Sequence, residues 1–307
     1  MTINHSQTVK QAIDELSKEQ SYKSVCHPHF KDHKMPSIQT LEEIVDLSRE
    51  IIFPGYYGDS SVRPDSVKYY IGVNAEKLYA LLVEQIFAGL CFMCDKPEGF
   101  DLNERKNLAH DYAALFIQGL PEIRKILATD VEAAFLGDPA AKSKGEVIFC
   151  YPAIRAITNY RVAHTLLNIG VPLIPRMISE MAHSETGIDI HPRATIGKSF
   201  SIDHGTGVVI GATSIIGDQV KLFQGVTLGA KSFPLDKDGN PIKGIPRHPI
   251  IEDNVVIYAQ ATILGRITIG ANTIIGGNVW VTNTVSPDSK IVQFKPRDVL
   301  FSDGSGI

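Results

Sequence analysis

The sequence has few cysteines, no long apolar run and no excess of basic residues. Its four cysteines form no evident disulfide framework, which excludes a small disulfide-bonded scaffold. No stretch reaches the roughly 18 apolar residues of a membrane-spanning helix, and the first residues begin no basic-then-apolar leader, so we expect a cytoplasmic protein. A formal net charge of -4 argues against a general binder of nucleic acid or of anionic membranes.

An aliphatic residue recurs at every sixth position in the second half of the chain, with one slip of two residues and one long interruption. Neither a helical period of 3.6 nor a strand alternation of two produces this pattern. It predicts a parallel β-helix in which each short strand sends one aliphatic side chain to the axis, and in which successive coils stack like residues on like. The recurring residues are Ile190, Ile196, Ile202, Ile210, Ile216, Leu222, Leu228, Ile251, Ile257, Ile263, Ile269, Ile275 and Val281.

The sequence before this repeat is helical in pattern. Leu41, Ile44 and Ile51 share one face of a helix that Pro54 ends. Further helices are predicted over 8–18, 74–93, 102–118, 121–135, 145–168 and 175–183. We therefore expect an α + β protein with a flexible arm over 1–36, an all-α assembly domain over 37–186, the β-helix over 187–286 and a C-terminal tail over 287–307.

Chemistry is expected where the repeat is broken, because a regular solenoid carries no reactive feature of its own. The slip before Ile210 contains Asp203 and His204. Asp189 precedes His204 by less than one coil, so stacking could bring its carboxylate beside the imidazole. Such a pair is a general-base dyad, in which the carboxylate fixes the tautomer of the ring. No serine or cysteine nucleophile accompanies it, so the nucleophile should belong to the substrate.

The second break is a long loop that ends on Arg247 and His248. The guanidinium of Arg247 suits an anionic group, and the loop could close over a cleft. A zinc site formed by His191, His204 and His248 across a trimer interface is the alternative. The neighbouring carboxylate and guanidinium favour acid–base chemistry over a metal, so no metal ligand is predicted.

These motifs together resemble the signature of the serine O-acetyltransferases in the hexapeptide-repeat superfamily, in the version with a long helical N-terminal region. The hexads alone indicate only the superfamily, whereas the combination is specific. The matching segments are Ile188-Asp189-Ile190-His191-Pro192, Ile202-Asp203-His204-Gly205-Thr206-Gly207, Gln224-Gly225-Val226-Thr227-Leu228-Gly229, Arg247-His248-Pro249, Asp138-Pro139-Ala140 and Tyr160-Arg161-Val162-Ala163-His164.

The resemblance implies acetyl transfer from acetyl-CoA to the hydroxyl of L-serine, giving O-acetylserine for cysteine biosynthesis. It also implies a role for each matching residue. His204 would be the general base oriented by Asp189, His248 would contact the reacting hydroxyl or the oxyanion, Arg247 would bind the serine carboxylate, Asp138 and Asp203 would bind its ammonium, and the CoA arm would pass Gly229, Ala230 and Ala259.

The resemblance further implies a left-handed β-helix, a homotrimer or a hexamer of paired trimers, and sites between neighbouring subunits. L-cysteine is an expected feedback inhibitor, because it differs from serine by sulfur in place of oxygen. The terminal Ile307 matches the tail by which such enzymes bind O-acetylserine sulfhydrylase. Three other functions stay open: O-acetylation of a sugar or another hydroxyl, a metal-dependent hydratase of the γ-carbonic-anhydrase kind, and a silent scaffold that regulates cysteine synthase.

Overall fold

The computed structural model describes residues 5–25, 35–93 and 101–293, in which helices precede short strands. None of the described helices is long and apolar enough to cross a membrane. The helices are α1 (His5–Leu16), α2 (Glu19–Tyr22), α3 (Ile38–Ile52), α4 (Val67–Phe92), α5 (Leu102–Gly137), α6 (Lys144–Cys150), α7 (Pro152–Ile169) and α8 (Ile174–Thr186). The strands are β1 (Asp189–Ile190), β2 (Thr195–Ile196), β3 (Ser201–Asp203), β4 (Val209–Ile210), β5 (Ile215–Ile216), β6 (Lys221–Phe223), β7 (Thr227–Gly229), β8 (Ile250–Ile251), β9 (Val256–Ile257), β10 (Thr262–Leu264), β11 (Thr268–Ile269), β12 (Ile274–Ile275), β13 (Trp280–Val281) and β14 (Lys290–Ile291).

The helical region differs from the prediction at two prolines. The sequence places a helix boundary at Pro121, but α5 runs through it as one helix of 36 residues. Leu120 and Ile123 are buried on either side, so packing against the neighbouring helices outweighs the lost backbone hydrogen bond. Conversely, the single helix predicted over 145–168 is two, because Pro152 begins α7 at its first turn. In the predicted arm, α1 has no buried residue.

The second half is a parallel β-helix of about five turns, which confirms the predicted left-handed fold. The first sheet contains β1, β4, β7, β10 and β13; the second contains β2, β5, β8 and β11; and the third contains β3, β6, β9, β12 and β14. The chain visits the three sheets in turn and closes one coil with each cycle. The recurring aliphatic residues stack as predicted, with Ile202 paired to Leu222 and Leu222 to Ile257.

A buried ion pair joins the helices to the first coil. Arg161 on α7 contacts Asp130 on α5 at 3.1 Å, with side-chain exposures of 6% and 0%. The same guanidinium donates to the carbonyl oxygens of Ile196 and Gly197, and the Asp130 carboxylate accepts the N–H of Phe200. This network fixes the C-terminal end of α5 against the third sheet, where the slip in the repeat follows β3.

Candidate active site

The slip in the repeat lies at the edge where the chain turns from the third sheet to the first, which we call the His204 edge. Turns that lead into the first and third sheets place a residue with positive φ three positions before the inward aliphatic residue, and Gly207 does so before Ile210. His204 and Gly205 are the extra residues, with φ of 60° and 97°. A Cβ at Gly205 would lie 2.4 Å from the side chain of Ile188, so only glycine fits there. The turn therefore projects the imidazole of His204 outward, with 76% of its side chain exposed.

An acidic half-site surrounds His204. Asp203 ends β3, and its Oδ1 lies 3.8 Å from Nε2 of His204. Asp138, which caps the C-terminus of α5, accepts a hydrogen bond from the hydroxyl of Tyr151. This bond is the main reason that the pKa of Asp138 is lowered and that the pKa of Tyr151 is raised to about 12. Lys221 on β6 completes the group, with its Nζ 3.2 Å from Oδ2 of Asp203.

Sequence reasoning identifies both carboxylates but misses Tyr151 and Lys221. Lys221 carries a usable signal, since the six-residue period stacks β6 on β3 and places Lys221 diagonally beside Asp203. Tyr151 carries none, because it reaches Asp138 only through the packing of α6 and α7 on α5. The two residues give the site an ammonium and a phenol that the motif alone does not predict.

Asp189 lies beside the same turn but is not bonded to the imidazole. The N–H of Gly207 donates to the carbonyl of Gly187 at 2.8 Å, so the chain before Asp189 packs against the His204 turn. The Asp189 carboxylate lies within 4.8 Å of a ring nitrogen of His183 on α8. Among the described residues, no hydrogen bond or ion pair joins Asp189 to His204. The predicted dyad between Asp189 and His204 therefore stays a prediction.

The second break forms a basic half-site at another edge, where the chain turns from the first sheet to the second. We call it the His248 edge. The hydroxyl of Thr213 lies 2.8 Å from Nδ1 of His248, and it accepts the N–H groups of Arg247 and His248. The backbone N–H of Thr213 also donates to Nδ1 at 3.1 Å. Nδ1 is therefore an acceptor, and the proton of the neutral ring lies on Nε2.

Electrostatics keep the histidines of this half-site neutral. Burial, followed by the charges of Arg247 and Arg266, lowers the pKa of His248 to about 4. Burial and a neighbouring group of arginines also lower the pKa of His191 to about 4. A neutral ring with a proton on Nε2 can donate to an oxyanion but is a poor base. The arrangement therefore suits His248 to stabilise negative charge.

A cavity of about 420 Å³ adjoins the His248 edge under the long loop. Arg193, Lys243 and Arg247 line it, so its walls carry a strong positive charge. The guanidinium of Arg247 also lies 5.5 Å above the ring of Phe233. Such a cavity suits a carboxylate or a phosphate.

A single chain does not bring the two half-sites together. The acidic group follows β3 at one edge of the three-sided β-helix, whereas Arg247 and His248 precede β8 at another edge. A cleft in which the Arg247 loop covers His204 of the same chain is therefore not formed. The three histidines of the zinc alternative are likewise divided, since His191 lies with His248 and not with His204.

The residues predicted along the CoA arm are divided between the same edges. Gly229 ends β7 at the His248 edge, and its carbonyl accepts the N–H of Gly265. Ala230 follows it in the chain. Ala259 lies in the turn between β9 and β10 at the His204 edge, and its carbonyl accepts the N–H of Asn278. These two carbonyls serve the stacking of coils, so their contacts with CoA stay predictions.

Comparison with known proteins places this geometry in a family. Residues 248–283 match the family model "Bacterial transferase hexapeptide (six repeats)". The chain is 50% identical over 278 residues to the plasmid serine acetyltransferase of Synechococcus elongatus, covering 90% of this chain and 87% of that protein. Its fold matches serine acetyltransferase isoform 3 of Entamoeba histolytica, solved with cysteine, at a TM-score of 0.70 and 31% identity over 97% and 94% of the two chains. It also matches the Neisseria gonorrhoeae enzyme, solved with serine, at 0.53 and 25% over 82% and 96%.

The β-helix of six-residue repeats and its charged half-sites define an acyltransferase of the hexapeptide-repeat class. Within that class, the chain belongs to the serine acetyltransferase family, since it matches a member at 50% identity over most of both lengths. Enzymes of this family use acetyl-CoA as their co-substrate.

Gly211 offers a direct test of the His248 ring. A Cβ at this position would lie 2.0 Å from the imidazole, so Gly211→Ala must displace the ring. We expect kcat/KM for acetyl transfer to fall by about 10²–10³-fold, the usual cost of losing one oxyanion donor. Steady-state kinetics check this, with Gly72→Ala on α4, where no atom lies within 4 Å of the added carbon, as the control. Activity of Gly211→Ala equal to that of the control would exclude His248 from the reaction.

Proposed function

We propose that the chain transfers the acetyl group of acetyl-CoA to the hydroxyl of L-serine, with His204 as the general base. The observation that carries this proposal is the opposite charge of the two half-sites. Asp138 and Asp203 offer carboxylates to an ammonium, and Arg247 offers a guanidinium to a carboxylate. A zwitterionic amino acid requires both, whereas a neutral sugar requires neither.

The proposed reaction uses these residues in turn. Nε2 of His204 accepts the proton of the serine hydroxyl as its oxygen attacks the thioester carbonyl. The tetrahedral oxyanion accepts a hydrogen bond from Nε2–H of His248. The carbon–sulfur bond then breaks, and the imidazolium returns its proton to the CoA sulfur. The products are O-acetylserine and CoA, and Asp189 orients the imidazole once the two side chains meet.

The separation of the half-sites supports a trimer as the working unit. In a threefold packing of β-helices, the His204 edge of one subunit can face the His248 edge of the next. Each interface would then combine a base and two carboxylates with a guanidinium and an oxyanion donor. We propose that the active sites lie at these interfaces, and that the helical domains pair trimers into hexamers. The CoA arm would run along the same groove, past Gly229, Ala230 and Ala259.

L-cysteine is proposed as an inhibitor of the same site. It carries the ammonium and the carboxylate that the two half-sites recognise, and two Entamoeba histolytica relatives were solved with cysteine bound. The proposed binding of O-acetylserine sulfhydrylase involves Ile307, which lies outside the described residues. Both proposals fit a cytoplasmic enzyme of cysteine biosynthesis.

A panel of acceptors tests the substrate. Release of free CoA from acetyl-CoA should require L-serine. Serinamide, which lacks the carboxylate, and 3-hydroxypropionate, which lacks the ammonium, should each lower kcat/KM by at least about 100-fold, because a charged group of the site then has no partner in the substrate. Faster acetylation of a sugar would favour the first alternative. Zinc-dependent hydration of CO₂ without CoA release would favour the hydratase.

A further inference from the structure

The acidic half-site already contains an ammonium from its own chain. Nζ of Lys221 lies 3.2 Å from Oδ2 of Asp203 and donates to the carbonyl of Gly137 at 2.6 Å. It also lies 4.6 Å from the centroid of the Phe223 ring. Gly137 is the last residue of α5, where the partial negative charge of a helix terminus favours a cation. Three features of the fold thus hold one charge: a carboxylate, the carbonyl at a helix end and an aromatic face.

This arrangement uses the oxygen of Asp203 that faces away from His204. The other oxygen, Oδ1, lies 3.8 Å from Nε2 of His204, which is too long for a hydrogen bond. Lys221 has 21% of its side chain exposed, as has Asp203, so solvent screens their ion pair only in part. Asp203 therefore points to Lys221 rather than to the imidazole.

The position of Asp203 matters because a general base must be unprotonated. A carboxylate beside an imidazole favours the protonated ring, and a cation next to that carboxylate offsets the effect. The other titratable groups at this edge are Asp138, Tyr151 and Asp189. Two of these three groups are carboxylates, Glu146 on α6 also acts on Tyr151, and Lys221 is the cation that the structure places against Asp203.

We infer that Lys221 is a positioning residue, which pairs with Asp203, holds that carboxylate away from Nε2 of His204 and so leaves this nitrogen free to accept a proton. The inference rests on the proposed role of His204 as the general base. It assigns Lys221 no contact with the reacting atoms. Without its charge, Asp203 can turn to Nε2 of His204 and stabilise the imidazolium.

The variant Lys221→Met tests the inference in the full-length enzyme. We expect the acid midpoint of the pH profile of kcat/KM to rise by about one pH unit, so activity well below that midpoint falls about tenfold. Lys221→Arg should restore the wild-type midpoint, because it retains the charge. Lys198→Met is the matched control, since Lys198 pairs with Asp218 at 3.6 Å on another edge of the β-helix. The midpoint of this control should not move.

A second measurement separates this inference from the proposed function. Hydrogen–deuterium exchange at the C2 position of histidine, followed by mass spectrometry, gives the titration midpoint of His204 without any turnover. We expect the same upward shift in Lys221→Met and none in Lys198→Met. An unchanged His204 midpoint in Lys221→Met, or a pure rise in KM for serine at every pH, would overturn the inference. An inactive wild-type enzyme with the expected exchange shift would instead overturn only the proposed function.

Discussion

Replacing His204 with asparagine is expected to lower kcat for acetyl transfer to L-serine by about 10²–10⁴-fold, which is the usual contribution of a positioned general base. Asparagine is the informative substitution because His204 has a φ of 60°. Asparagine tolerates this left-handed conformation better than alanine, so the turn is kept and only the imidazole is lost. Release of free CoA, measured with saturating substrates, gives the effect directly.

The control for this variant is His110→Asn. His110 lies on α5, and its Nδ1 lies 2.8 Å from the hydroxyl of Tyr79, away from both half-sites. It should retain the activity of the wild type. Turnover of His204→Asn within about tenfold of the control, with an unchanged circular dichroism spectrum, would contradict a general-base role.

The part of the fold that the sequence predicts best is the part with a strict local period. Each aliphatic residue of the hexads stacks on its counterpart in the next coil, as Ile190 does on Ile210. The slip before Ile210 also projects His204 outward, as predicted. Both predictions depend on the fixed spacing of the repeat. Many hexads specify this spacing, and a slip of two residues is therefore easy to detect.

The helical region was harder to predict because its contacts are not periodic. Pro121 normally argues for a helix end, yet tertiary packing keeps α5 continuous. The sequence pattern predicts Pro152 inside a helix, yet it starts a new helix after Tyr151. One proline thus lies inside a helix and the other begins one, so the residue type alone does not determine where a helix ends. Only the buried neighbours of each proline decide between them.

The sequence predicts which residues belong to the site but not how they are arranged in space. Asp138, Asp203 and His204 do meet, because the end of α5 packs on β3. Arg247 and His248 do not join them within one chain, since a turn's position around the β-helix depends on which sheets it connects. The number of residues between two positions predicts which coil each one lies in. The edge of the β-helix at which a residue lies depends instead on the order in which the chain visits the three sheets. Bringing the two half-sites together therefore falls to the proposed assembly of subunits.

The buried ion pair between Arg161 and Asp130 should dominate the stability of the join between helices and β-helix. Arg161→Met leaves the Asp130 carboxylate without its counterion, and it removes the bonds to the carbonyls of Ile196 and Gly197. We expect a loss of about 3–5 kcal/mol in the free energy of unfolding near neutral pH. The pair Arg155–Glu185 is about 40% exposed, so Arg155→Met should cost no more than about 1 kcal/mol. Urea unfolding followed by circular dichroism compares the two.

The loss should depend on pH in a stated direction. Burial raises the pKa of Asp130 to about 6, although Arg161 lowers it, and the unfolded value is 3.8. The contribution of this carboxyl to stability is therefore greatest below pH 3.8 and is lost as the pH rises through about 6. Without Arg161 the buried carboxylate is costlier still, so Arg161→Met should be less destabilising at pH 5 than at pH 8. The double variant Asp130→Asn/Arg161→Met should recover part of the loss at pH 8. A double variant less stable than Arg161→Met would show that packing, not the unpaired charge, causes the defect.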